Sequence, residues 1–113
     1  MIGKLPTVSK GMKHRFPEGF EPFQIMTRLL EECGELAQEV NHFEGSGVKR
    51  QKYGDPDKTR LAHELMQVLR CAYEVAIYYG IEPELEADLE QAYQRLKAEG
   101  HIDPDERGTE FCR

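Results

Sequence analysis

The run EECGELAQEV at residues 31–40 carries Glu31, Glu32, Glu35 and Glu39, and a further glutamate, Glu64, stands in LAHELMQVL downstream. Carboxylates gathered in this way suit a hard cation, Mg2+ or Mn2+, whereas zinc would call for histidine or cysteine. A divalent ion held by such a set can neutralise phosphate oxygens and orient a water. A helix turns by about 100° per residue, so with Glu31 at zero Glu35 lies at about 40°, Glu39 at about 80° and Glu32 at about 100°. The apolar positions run from roughly 120° at Ile25 and Phe43 to roughly 260° at Leu30, so Glu32 borders the stripe to be buried and Glu39 is expected to be solvated. Like charges four residues apart cost roughly 0.2–0.5 kcal/mol a pair on a bare helix. The run therefore needs either nearby cations or open water.

Glu64 bears on that choice. With Leu61 at zero, Glu64 falls at about 300°, among Cys71 at about 280°, Val75 at about 320° and Val68 at about 340°. His63, Arg70 and Glu74 gather at roughly 180° to roughly 220° as the expected polar face, with Gln67 at roughly 240° between the two sectors. A carboxylate aimed into an apolar arc must be answered by an arginine, a lysine or a metal, or take up a proton. Histidine three residues after a ligating glutamate, the mark of di-iron carboxylate bundles, does not occur here, because His63 precedes Glu64.

The elements that would position these groups are helices. Residues 1–21 combine three glycines and two prolines with scattered basic residues and are expected to form an irregular arm. From Pro22, apolar residues recur at three- and four-residue spacing (Met26, Leu29, Cys33, Leu36, Val40) until Gly45, which predicts a first helix. EGSGVKRQKYGDPDK has no period and reads as a loop ending at a cap and first-turn proline, Asp55-Pro56. A second helix is predicted from Pro56 to Tyr79, apolar on most sides, with Leu61, Leu65 and Leu69 on its broad face and Gly80 as its stop. Pro83 opens a third, striped by Leu85, Leu89, Ala92 and Leu96 and ended by Gly100. Residues 101–113 form a polar tail. No segment alternates as a strand would, so the fold class expected is all-α, a small antiparallel helical bundle.

Glu32-Cys-Gly-Glu35, preceded by Glu31, and Glu64 in AHELMQVL resemble the MazG-like, all-α nucleotide pyrophosphohydrolases, marked by ExxE on one helix, a loop, and ExxD on the next. The resemblance covers residues 22–100. One position departs: Gln67 stands where that family has aspartate, and an amide oxygen can ligate Mg2+ but carries no charge and cannot act as a base. The resemblance implies hydrolysis of a nucleoside triphosphate to the monophosphate and pyrophosphate. It implies Mg2+, or Mn2+, on Glu32, Glu35, Glu64 and Gln67, with Glu31 beside them as the base that orients water. Substrate contacts would fall to Arg95 and Lys97 on the third helix and to Lys52 in the loop, where the alternative is plain solvation. It also implies a homodimer or homotetramer assembled through the helices. Two alternatives stand beside the enzyme: a catalytically silent nucleotide or metal binder, for which Gln67 speaks, and a structural oligomerisation module in which the glutamates meet arginines across an interface.

The chain has 113 residues and a formal net charge of −6, which fits one domain and argues against a general partner role for nucleic-acid polymers or anionic membranes. A domain of this size buries only about 65% of the surface of its unfolded chain, so surplus apolar surface favours self-association. Cys33, Cys71 and Cys112 are odd in number and widely spaced, which supports neither a disulfide framework nor a thiolate zinc site and fits a reducing cytoplasm. Neither a signal peptide nor a membrane span is expected, since the most apolar run is interrupted by Arg70 and Glu74.

Overall fold

The computed structural model describes residues 2–45 and 54–103, and its regular structure is entirely helical. After a 3-10 turn at Ile2–Lys4 come α1 (Leu5–Arg15), α2 (Pro22–Glu44), α3 (Lys58–Tyr79) and α4 (Glu82–Ala98). The protein is all-α. Among the described residues no helix is long and apolar enough to cross a membrane.

Local signals set the ends of the helices. Glu21 and Gln24 form a reciprocal capping box ahead of α2, with the Gln24 side chain accepting from the Glu21 backbone N–H at 3.2 Å. Gly45 closes α2 and Gly80 closes α3, both in the left-handed conformation (φ 73° and 66°) that glycine adopts without penalty. The cap of α3 is Asp57, whose side chain accepts from Thr59 N–H at 2.8 Å, so the helix begins slightly later than the expected Asp55-Pro56 start. On α4, Glu82 and Glu84 in the first turn and Arg95 and Lys97 in the last complement the helix dipole.

The expected irregular arm is corrected by α1. Leu5, Val8 and Met12 keep a helical period through the glycines, Lys13, His14 and Arg15 sit at the dipole's negative end, and α1 packs against α3. So short a helix owes its stability to that packing rather than to its own propensity. The fully buried Ser9 presents a small side chain on its inner face.

α2 and α3 form the main antiparallel pair, bringing Arg28 to Glu74 at one end of the contact and Glu35 to Glu64 at the other. The apolar core is small, namely Phe20, Ile25, Cys71 and Ala76. The expected polar face of the second helix is corrected at two of its three residues: Arg70 and Glu74 are only 5% and 2% exposed, while His63 is exposed. α1 covers one flank of α3 while α2 covers the other, and those two residues lie between. Leu65 and Leu69, expected to face the core, are instead exposed, as is Met66 beside them. α4 does not pack against α2; it is tied by its first residue, where Glu82 accepts from Tyr73 Oη at 2.6 Å and pairs with Lys10 at 3.3 Å. Its apolar stripe stays open, with Leu89 59% exposed. The radius of gyration is 17.0 Å, against about 13 Å for a compact domain of this length.

Candidate metal centre

α2 presents Glu32 and Glu35 one turn apart, and α3 presents Glu64 across the seam. One carboxylate oxygen from each lies within 4.8 Å of the others. Glu35 is exposed, and Glu32 and Glu64 are half-buried. Burial, followed by the charges of Glu35 and Glu64, raises the Glu32 pKa above its ordinary value, and Arg70 and His63 offset this only in part. The cluster thus carries unanswered negative charge. Ligand oxygens around Mg2+ stand about 2.0–2.1 Å from the ion, so three carboxylates this close, all with hard oxygen donors, fit Mg2+ or Mn2+ after small side-chain rotations.

Toward the other end of the seam the charges are matched. Glu74 accepts from Arg28 at 3.0 Å and from Arg70 at 2.8 Å. Arg28 also donates to the Gly19 carbonyl at 3.3 Å, and burial, which disfavours its charge, is outweighed by the hydrogen bond and charge of Glu74, leaving its pKa raised. Cys71, fully buried beside this layer, has its thiol pKa pushed up by burial and stays a neutral thiol. A cleft of about 240 Å³ opens over the arginines, lined in part by Met12, Phe16 and Phe20.

Of the residues expected at the site, Glu32, Glu35 and Glu64 are brought together. Gln67, expected as a fourth ligand, gives its side-chain oxygen to Arg70 Nε at 3.1 Å. Glu31 is exposed beside the cluster, on the wall of a shallow cleft it shares with Thr27 and Arg28. Arg95 and Lys97 are exposed on α4, away from α2, and Lys97 Nζ lies 5.8 Å from the centre of the Tyr93 ring. Lys52 lies outside the described residues.

Glu39, expected to be solvated, is buried, with an oxygen 3.9 Å from Nδ1 of the fully buried His42. His42 Nε2 is 2.6 Å from the Gly54 carbonyl, an acceptor only, so that nitrogen carries the proton. The Gly54 carbonyl meets this end of α2, a contact that a wheel of α2 alone does not register. The Arg28–Glu74–Arg70 layer was also missed from sequence. Its signal was present: Arg28 lies at roughly 60° on the wheel of α2, inside the glutamate sector, and Arg70 and Glu74 have the four-residue spacing of a helical ion pair.

With this geometry in view, the chain is 35% identical over 83 residues to the uncharacterized protein YpjD of Bacillus subtilis (strain 168), a match covering 73% of this chain and 67% of the relative. This chain belongs to the family of YpjD. No family model matches it, and no solved structure does. Membership in the YpjD family carries no activity with it, so function rests on the side chains.

Proposed function

We propose that this protein is a MazG-like, Mg2+-dependent nucleotide pyrophosphohydrolase that converts a nucleoside triphosphate and water to the monophosphate and pyrophosphate. The observation that carries this is the convergence of Glu32, Glu35 and Glu64 within 4.8 Å across the α2–α3 seam. These three carboxylates would hold Mg2+, with Mn2+ as a substitute. When bound, the ion supplies Lewis-acid stabilisation of charge on the triphosphate. Glu31, solvent-facing and adjacent in sequence to Glu32, would accept the water's proton as the new P–O bond forms and the bond of the α–β bridge breaks, pyrophosphate leaving with the electron pair. Arg95 and Lys97 could meet substrate only if α4 of a second copy lay over the cluster. The open stripe of Leu85, Leu89 and Leu96 supports a homodimer or homotetramer in which α4 is covered.

Pyrophosphate release from a panel of NTPs and dNTPs, with and without Mg2+ or Mn2+, tests the activity. Metal-dependent release is expected, and Glu64→Gln should lower it at least about a hundredfold. No release from any nucleotide at high protein concentration would refute the enzyme. A second reading, nucleotide or metal binding without turnover, is favoured by the engagement of Gln67 with Arg70; tight binding without pyrophosphate release would establish it.

A further inference from the structure

We propose that Arg70 is a built-in cation of the carboxylate cluster: a positioning residue that holds Gln67 out of the ligand set and limits the centre to one divalent ion on Glu32, Glu35 and Glu64. This rests on the metal centre proposed above and specifies what sets its stoichiometry.

Gln67 follows Glu64 by three residues on α3, a spacing that would let both side chains reach one site. Its oxygen instead accepts from Arg70 Nε at 3.1 Å. Arg70 is not free to swing away. Its Nη1 donates to Glu74 at 2.8 Å, both residues are buried, and Glu74 is gripped from the other side by Arg28 at 3.0 Å. Turning Gln67 toward an ion would leave the Nε–H of this buried, fixed guanidinium without its acceptor, a costly loss in a site of low dielectric.

Charge balance leads to the same stoichiometry. Three carboxylates are neutralised by one divalent ion together with one guanidinium, and that guanidinium cannot shed its proton. Arg70 holds Gln67, one turn from Glu64 on α3, as well as Glu74, so its charge stands between the cluster and the ion-pair layer. A further divalent ion would enter beside a fixed positive charge with only the solvent-facing Glu31 left to receive it. A carboxylate at position 67 would not open the centre either, because Arg70 Nε would claim it in a charge-assisted hydrogen bond.

Mn2+ titration of the full chain, followed by electron paramagnetic resonance and calorimetry, tests this. Wild type and Gln67→Asp should each bind one equivalent, whereas Gln67→Asp combined with Arg70→Gln should bind two. Arg70→Gln alone should still bind one equivalent, about tenfold more tightly, because the repelling charge is gone. A second equivalent in Gln67→Asp with Arg70 intact, or a single equivalent in the folded double variant, would overturn the proposal while leaving the metal centre standing. Absence of Mn2+ binding by wild type would instead remove the centre and the proposal together. A measurement on the unaltered chain guards against variants that do not fold: the Arg70 Nε–H resonance should keep its shift when Mg2+ saturates the protein. Its disappearance or displacement into the range of a free guanidinium would show that Gln67 has turned to the ion.

Discussion

Two charged layers sit at different levels of the same α2–α3 seam, and they are built on opposite principles. In the Arg28–Glu74–Arg70 layer every buried charge has a partner within 3.0 Å. In the Glu32–Glu35–Glu64 layer, three carboxylates crowd within 4.8 Å, and burial first, their mutual repulsion second, raises the Glu32 pKa. The first layer closes on itself and serves the fold. The second is left open at the edge of the seam, where an ion from solvent can complete it. Burial alone does not separate structure from site here, since the structural layer is the more deeply buried; the distinction lies in whether the chain's own countercharge is complete, as around Glu74, or partial, as around the three glutamates.

The contrast can be broken most forcefully at Glu74. Glu74→Leu leaves two guanidiniums facing each other without their shared carboxylate and should cost about 3–5 kcal/mol in urea unfolding. The opposite layer should respond to ligand rather than to mutation alone: Mg2+ at a hundred times its Kd should stabilise wild type by about 2.7 kcal/mol, and Glu64→Gln should abolish that gain. A full Mg2+ shift in Glu64→Gln would place the ion elsewhere. Without metal the same substitution should stabilise the chain by about 0.5 kcal/mol, the scale of a partly exposed charge pair, because it removes repulsion. Opposite signs for the two substitutions are the sharpest form of the comparison.

The pH dependence follows in kind. Glu32 has a raised pKa, so the folded state holds its proton more tightly than the unfolded chain does. Its contribution is present below the ordinary carboxylate pKa and is lost as pH rises through the raised value. Metal-free wild type should therefore lose stability relative to Glu32→Gln across that window, and saturating Mg2+ should erase the difference. The smallest effect lies outside both layers. The hydrogen bond from Tyr73 lowers the Glu82 pKa, and in return Tyr73 is pushed up to about 12. Tyr73→Phe should remove a stabilisation present above the ordinary carboxylate pKa and lost as pH falls through the lowered Glu82 value; since solvent screens this pair, only a slight shift in the acid unfolding midpoint is expected.

Much of this protein is written locally. Gly45 and Gly80 stop helices because glycine accepts the left-handed cap, Glu21 and Pro22 start one, and the apolar periods fix the class as all-α. The approach of Glu32 to Glu64 was also legible, since Glu32 borders the buried stripe of its helix and Glu64 falls in an apolar arc, whereas the wheel alone did not assign Glu35, further out, to the same contact. Tertiary structure alone decided the rest. It made α1 a helix by packing it against α3 with Ser9 buried, buried Arg70 and Glu74 by covering α3 on two sides, drew Glu39 and His42 inward, and turned Gln67 to Arg70. The physical reason is common to all four: a helical wheel gives the angle of a side chain about its own axis, but what lies opposite that angle, water, a neighbouring helix or a countercharge, belongs to the packing.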